Sequence, residues 1–280
     1  MYDLHIHSNH SDGTDDWQTI LKKAQAAKLE CISITDHDNC DVYFQIKNPE
    51  KYFAGRIVTG IEMQAYFKGL SVEILGYGFD ADKMKESLNG LYLPPEEVAR
   101  LELELLHAKC IACGIIFAPD VKEKYDHKIF YYSTEYLHNE MRKFPCNKDL
   151  LPDEESWEQY HIFFKRHIAN PNSPFYIDER GIIPAAENVI DIIRKAGGKV
   201  VLPHVYQYEE HTELVLYGLI DSLDGLECFY PSFTTEQTEY LLKLCEEKDL
   251  LVTGGSDYHG AKRPNKIGSV HMDTTKKWLV

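Results

Sequence analysis

Tyr2-Asp3-Leu4-His5-Ile6-His7-Ser8 opens the chain with polar and apolar residues in alternation. A period of two reads as a β-strand and sends His5 and His7 off the same face. Asp257-Tyr258-His259 repeats that spacing near the far end of the sequence. Between them lie apolar runs at residues 31–35, 56–61, 71–77, 199–202, 225–229 and 250–253, each of strand length. Residues 17–28, 185–196, 214–222 and 234–248 place apolar side chains at helical spacing instead. Asp15 or Asp16 can cap the first of these helices and Thr234 or Thr235 the last, while Gly197-Gly198 reads as a helix terminus. Strand and helix in alternation predict an α/β fold with a largely parallel sheet. In such folds functional side chains gather where strands end.

The alternation stops near residue 85. Pro94-Pro95-Glu96-Glu97 has the form of a helix start, with the helix running to Cys113. Beyond it the chain is rich in Tyr, His, Phe and charge, with turn signals at Phe144-Pro145 and Asn170-Pro171-Asn172-Ser173-Pro174. A length of 280 residues suits one large domain carrying an insertion. We expect an α/β unit built from 1–84 and 179–280, interrupted by a mostly helical insertion at 85–178.

Composition excludes several classes. A hydrophobic fraction of 44% supports a substantial core and rules out a disordered chain. No apolar run reaches the ~18 residues that a membrane span needs. The strand-like start leaves no place for a secretory leader ahead of its histidines, so a cytoplasmic location is expected. The 7 cysteines are odd in number and scattered, which suits a reducing compartment. Cys110 and Cys113 form a lone CxxC and read as two small apolar residues one helical turn apart. A net charge of −15 argues against stable binding of duplex nucleic acid. A small anionic substrate stays compatible with it, because bound cations reverse the local sign.

The chemistry lies at the expected strand ends. His5 and His7 form one x-spaced pair and Asp257 and His259 another; His37, Glu62 and His204 each stand where a strand is expected to stop. Imidazole and carboxylate are the ligands that suit Zn, Mn and Fe. Any one of these residues alone is weak evidence. Five strand ends carrying such groups together point to a metal site.

These residues also resemble a known family. Asp3-Leu4-His5-Ile6-His7-Ser8 with Ser11-Asp12-Gly13 is similar to the opening motif of the polymerase and histidinol phosphatase (PHP) family, and Ile34-Thr35-Asp36-His37-Asp38 to its second. Gly60-Ile61-Glu62, His204 and Gly255-Ser256-Asp257-Tyr258-His259 resemble the later ones. The resemblance covers about 1–80 and 180–280, and is greatest to the stand-alone metal-dependent phosphoesterases. It implies a distorted (β/α)7 barrel, formed by 1–84 and 179–280, that holds three divalent ions (Mn, Fe or Zn). Matched by motif, the implied metal ligands are His5, His7, Asp12, His37, Glu62, Glu73, His204, Asp257 and His259, with Glu62 bridging two ions. The family often has His where this chain has Glu73. Glu still ligates a hard cation, so Glu73 stays in the set.

The resemblance further implies hydrolysis of a phosphate monoester by a water shared between two ions. Asp257 and His204 would act at the reacting centre, and Asp36 would orient an imidazole. Three divalent ions against the carboxylates of Asp12, Glu62, Glu73 and Asp257 leave the pocket positive, able to draw in a phosphate dianion. Arg180, Lys262 and Arg263 are the candidate phosphate-binding cations. The expected partner is a small phosphorylated substrate, for instance a nucleoside 3′,5′-bisphosphate or the end of a short oligonucleotide. Histidinol-phosphate phosphatase, an amidohydrolase-type hydrolase, an exonuclease and a non-enzymatic regulator are the competing readings. The sequence does not set the oligomeric state.

Overall fold

The strand Cys31–Ile34 is buried along its whole length. That is what a strand inside a parallel sheet covered on both faces requires. In the computed structural model, which describes residues 1–130, 132–151, 153–270 and 272, this segment is the second of seven strands that neighbour one another in sequence order. They are β1 (Tyr2–Asp3), β2 (Cys31–Ile34), β3 (Arg56–Phe67), β4 (Leu70–Tyr77), β5 (Lys199–Leu202), β6 (Gly225–Phe229) and β7 (Leu251–Gly254). β1, β2 and β3 pair in parallel, as do β5, β6 and β7, whereas β4 and β5 are antiparallel. β3 and β4 are neighbours joined by Lys68-Gly69 alone, a link short enough only for an antiparallel hairpin. Both linking residues have positive φ, 48° and 91°, as a tight hairpin turn demands.

The sheet edges meet. Leu4 N donates to Gly254 O at 3.1 Å, Ile6 bridges Tyr258, and His7 N donates to Tyr258 O at 2.8 Å. The result is a distorted seven-stranded (β/α) barrel, nearly closed. Closure needs Gly255: a Cβ there would meet His5 Cβ at 2.2 Å.

Two expected strands differ in extent. The run 2–8 keeps ladder register with β2 only at Tyr2 and Asp3; farther on Leu4 N and His7 N donate to the β7 side, while Ile6 O accepts from Thr35 N just beyond β2. β3 does not stop at Glu62 but continues to Phe67, so Glu62 lies inside a hairpin strand. Helices pack outside. Trp17–Ala26 is capped by Asp16, which accepts from Thr19 N, and buries Trp17, Ile20, Leu21 and Ala24. Ile20 and Leu21, both fully buried, contribute about 1.5–3 kcal/mol each. Thr235–Glu247 begins with a capping box of Thr234 and Gln237.

The chain divides into two compact units. One comprises Met1–Ala65, Val72–Leu91 and Ala185–Val280; the other comprises Tyr66–Ser71 and Tyr92–Pro184. The second unit is built on the helices Pro95–Ala112 and Ser133–Met141 with shorter ones after them. Its own core includes Leu103, Leu106, Tyr136, Leu137, Phe163 and Phe175. Among the described residues no helix is long and apolar enough to cross a membrane.

Candidate metal centre

Barrel closure brings β1 against β7 and so sets His5 and His7 beside Asp257 and His259. Asp3 locks the junction from below. Its buried carboxylate accepts from Ser256 N at 2.9 Å and Gly268 N at 2.7 Å. Burial nonetheless pushes its carboxyl up to about 6. His37 follows β2 and bridges to Glu62 of β3, Glu73 comes from β4, and His204 follows β5.

Glu62 is the hub. Its Oε2 lies 3.1 Å from His5 Nε2, 3.2 Å from His7 Nε2 and 3.5 Å from His37 Nδ1, and its Oε1 lies 3.0 Å from His204 Nε2. Asp257 Oδ1 lies 3.3 Å from His7 Nε2 and 3.6 Å from His5 Nε2. Asp12 Oδ1 lies 3.2 Å from His259 Nε2 and 3.6 Å from His7 Nδ1. Glu73 Oε2 lies 3.3 Å from His204 Nε2, and its Oε1 3.9 Å from His37 Nδ1. All nine residues matched by motif therefore come together.

The charges of these groups are strongly coupled. Burial disfavours charge on Glu62, but the imidazoles around it outweigh burial and hold its carboxyl well below the usual range. Burial lowers His7, and Asp257 and Glu62 more than reverse it, to about 9. Burial dominates at His37, which falls to about 4. Glu73, only partly buried, rises to about 7 through desolvation and the like charge of Glu62. Carboxylates gathered this closely favour positive charge between them, which bound cations would supply.

The donor set fits divalent ions. His7 Nδ1 and Nε2, Asp12 Oδ1, His204 Nδ1 and His259 Nε2 are buried yet form no hydrogen bond of acceptable geometry. Such orphaned atoms are costly unless something else binds them. Among the described residues, ligand atoms converge within 4.8 Å in four groups: His7, Asp12, His37 and His259; His5, Glu62 and His204; His5, His7 and Asp257; His37, Glu62 and Glu73. Mixed imidazole and carboxylate at this spacing suits Zn, Mn or Fe.

The surrounding residues differ in part from expectation. Asp36 does not face an imidazole. It accepts from Ser8 N at 2.7 Å, Ser8 Oγ at 2.6 Å and Ser11 Oγ at 2.7 Å, and so fixes the loop that carries Asp12. Arg263 reaches the cluster: its Nη1 donates to Asp257 Oδ2 at 2.5 Å, where Tyr230 Oη also donates at 2.7 Å. Lys262 is exposed in the turn Gly260–Lys262 and makes no ion pair among the described residues. Arg180 belongs to the other unit, where it donates to Tyr66 Oη at 3.0 Å. Tyr208 Oη accepts from Glu73 N at 2.9 Å.

Sequence reasoning missed Glu227, which stands in β6 with Oε1 3.0 Å from His5 Nδ1. It makes a fifth carboxylate beside the cluster and lowers the positive charge that three ions would leave. Its signal was a lone acid inside the otherwise apolar run Gly225-Leu226-Glu227-Cys228-Phe229, a position that a carboxylate occupies only with partners.

The PHP domain model matches residues 3–167. Among curated proteins, a phosphoribosyl 1,2-cyclic phosphate 1,2-diphosphodiesterase of Eggerthella lenta is 26% identical, over 92% of this chain and 94% of its own length. A 5′-3′ exoribonuclease of Haemophilus influenzae is 24% identical over 92% and 89%, and a 3′,5′-nucleoside bisphosphate phosphatase of Chromobacterium violaceum 22% over 92% and 86%. A candidate metal-dependent phosphoesterase from Bifidobacterium adolescentis shares the fold with a TM-score of 0.64 at 24% identity, over 98% of this chain and 92% of that one.

Proposed function

The chain belongs to the PHP domain family, and from that premise we propose that it hydrolyses a phosphate monoester, such as a nucleoside 3′,5′-bisphosphate or the end of a short oligonucleotide. The observation that carries this reading is the convergence of His5, His7, Asp12, His37, Glu62, Glu73, His204, Asp257 and His259 with orphaned buried ring nitrogens among them. Divalent ions held there, three by the family resemblance, would supply Lewis acidity toward water and toward the phosphoryl oxygens.

The chain's own residues bind and orient. Glu62 offers one oxygen to the His5 and His7 side and the other to His204, and would hold metal from both sides of the cluster. Tyr230 and Arg263 occupy Asp257 Oδ2 and leave Oδ1 to face the cluster. The side chain of Arg263 is 44% exposed, and its remaining N–H groups can meet a phosphate oxygen. Lys262 and Arg180 are weaker candidates for that role.

A second reading, cleavage of a phosphodiester, is favoured by the relative from Eggerthella lenta named as a diphosphodiesterase. One screen separates the readings. Manganese-loaded protein is offered nucleoside 3′,5′-bisphosphates, histidinol phosphate, cyclic phosphodiesters, short oligonucleotides and amide or lactone substrates. Phosphate release from monoesters alone supports the proposal. Turnover of diesters alone replaces it with the second reading, and turnover of amides or lactones alone with an amidohydrolase. No turnover by fully metallated protein sinks the hydrolase reading.

A further inference from the structure

Glu227 is 1% exposed between Leu226 and Cys228, where a carboxylate is stable only with strong partners. Both of its partners belong to the metal cluster, and they come from different parts of the barrel. Oε1 lies 3.0 Å from His5 Nδ1, on the β1 side. Oε2 accepts from His204 N at 2.9 Å, just beyond β5. We propose that Glu227 is a positioning residue that makes His5 present Nε2 and pins the backbone of His204, so that both imidazoles meet the cation held by Glu62.

A neutral imidazole that donates Nδ1–H to a carboxylate keeps its Nε2 lone pair for a ligand. His5 Nε2 does point inward, 3.1 Å from Glu62 Oε2. His204, for its part, has φ 23° and ψ 46°, a conformation that a non-glycine residue adopts only when its surroundings hold it there. The bond from His204 N to Glu227 is such a restraint, and it leaves His204 Nε2 3.0 Å from Glu62 Oε1. His5, Glu62 and His204 form one of the four convergent ligand groups. One buried carboxylate therefore sets two of its three members. The inference rests on the metal reading of this site.

The test compares wild-type protein with the Glu227→Gln variant. Manganese affinity is measured by equilibrium dialysis with metal analysis, and melting is followed on the metal-free proteins. Gln keeps the shape but turns an NH2 toward one of the two N–H donors, so one of the two bonds is lost. The expected result is a folded variant that holds one ion roughly 10–100-fold more weakly, with the others unchanged. A folded variant with wild-type affinity for every ion overturns the inference.

A second measurement needs no variant. In zinc-loaded, 15N-labelled wild-type protein, His5 is expected to carry its proton on Nδ1 and the metal on Nε2. The reverse arrangement, or an Nδ1 without a proton, overturns the inference even if Glu227→Gln does not fold. Wild-type protein that binds neither manganese nor zinc sinks the metal reading and this inference with it. That outcome is distinct from a metal-binding wild type with an insensitive variant.

Discussion

Glu62 Oε1 lies 3.0 Å from His204 Nε2, although 142 residues separate the two in sequence. The other oxygen of Glu62 faces His5 and His7. The carboxylate thus spans two sides of the cluster, and its loss strips both. Glu62→Gln is expected to lower bound metal and to cut kcat/KM by at least about 10²-fold, since even residues one layer behind a ligand cost 10–100-fold. Wild-type metal content and rate in this variant would remove Glu62 from the ligand set.

Asp36 acts on the architecture of the first loop rather than on an imidazole. It is fully buried and accepts from Ser8 N, Ser8 Oγ and Ser11 Oγ. Asp36→Ala strands buried donors at about 1–3 kcal/mol. A shift of roughly 2–4 °C per kcal/mol for a chain near this size gives a melting point lower by several degrees. Release of the loop also frees Asp12, so metal content should fall with it. A melting point within one degree of wild type would contradict this role.

Glu73 stands beside His204 and His37, and as a ligand it would bring a negative charge where the family often has a neutral imidazole. Its side chain is 34% exposed beside His37 and His204. Glu73→His should make the centre more positive and lower KM for a phosphate substrate by roughly severalfold. It should also change the metal preferred. Steady-state kinetics and metal analysis of the variant decide the matter: no change in either would show that Glu73 is not a ligand.

The second unit carries a pH dependence of its own. Burial, with the nearby charge of Glu179, pushes Glu102 up to about 7, and burial does the same to Glu179. A carboxyl raised in the folded state is bound to its proton more tightly there than in the unfolded chain. Stability is therefore greatest below the unfolded value of about 4.5 and declines as pH rises through about 7. Glu102→Gln should raise the melting point at pH 8, on the order of 1 kcal/mol or about 2–4 °C, and leave it unchanged at pH 4. Equal shifts at both pH values would show that ionisation of Glu102 is not the cause.

Much of the site was legible because strands write their geometry into sequence. His5 with His7, and Asp257 with His259, announce themselves by a period of two, and closure of the barrel at Leu4 and Gly254 brings the pairs together. Asp12 and Glu73 have no such spacing signal and were reached only through the family resemblance. Glu62 was legible as a member of the cluster but not in its place inside a strand, because a hairpin turn at Lys68-Gly69 lets β3 run on past it. Glu227 showed in the sequence only as a lone acid in an apolar run, without its role. Its role comes from tertiary contacts with His5 and His204, which no local pattern encodes. Arg263 and Lys262 are neighbours of the same charge, yet only Arg263 reaches Asp257.

The central claim is that these side chains form a clustered metal site. An anomalous-scattering map of crystals grown with manganese tests it most directly. The account predicts peaks enclosed by His5, His7, Asp12, His37, Glu62, Glu73, His204, Asp257 and His259, with one peak bonded to both His204 and Glu62 and another sharing Glu62. A map without peaks there, with the imidazoles still paired to Glu62 and Asp257, would contradict it.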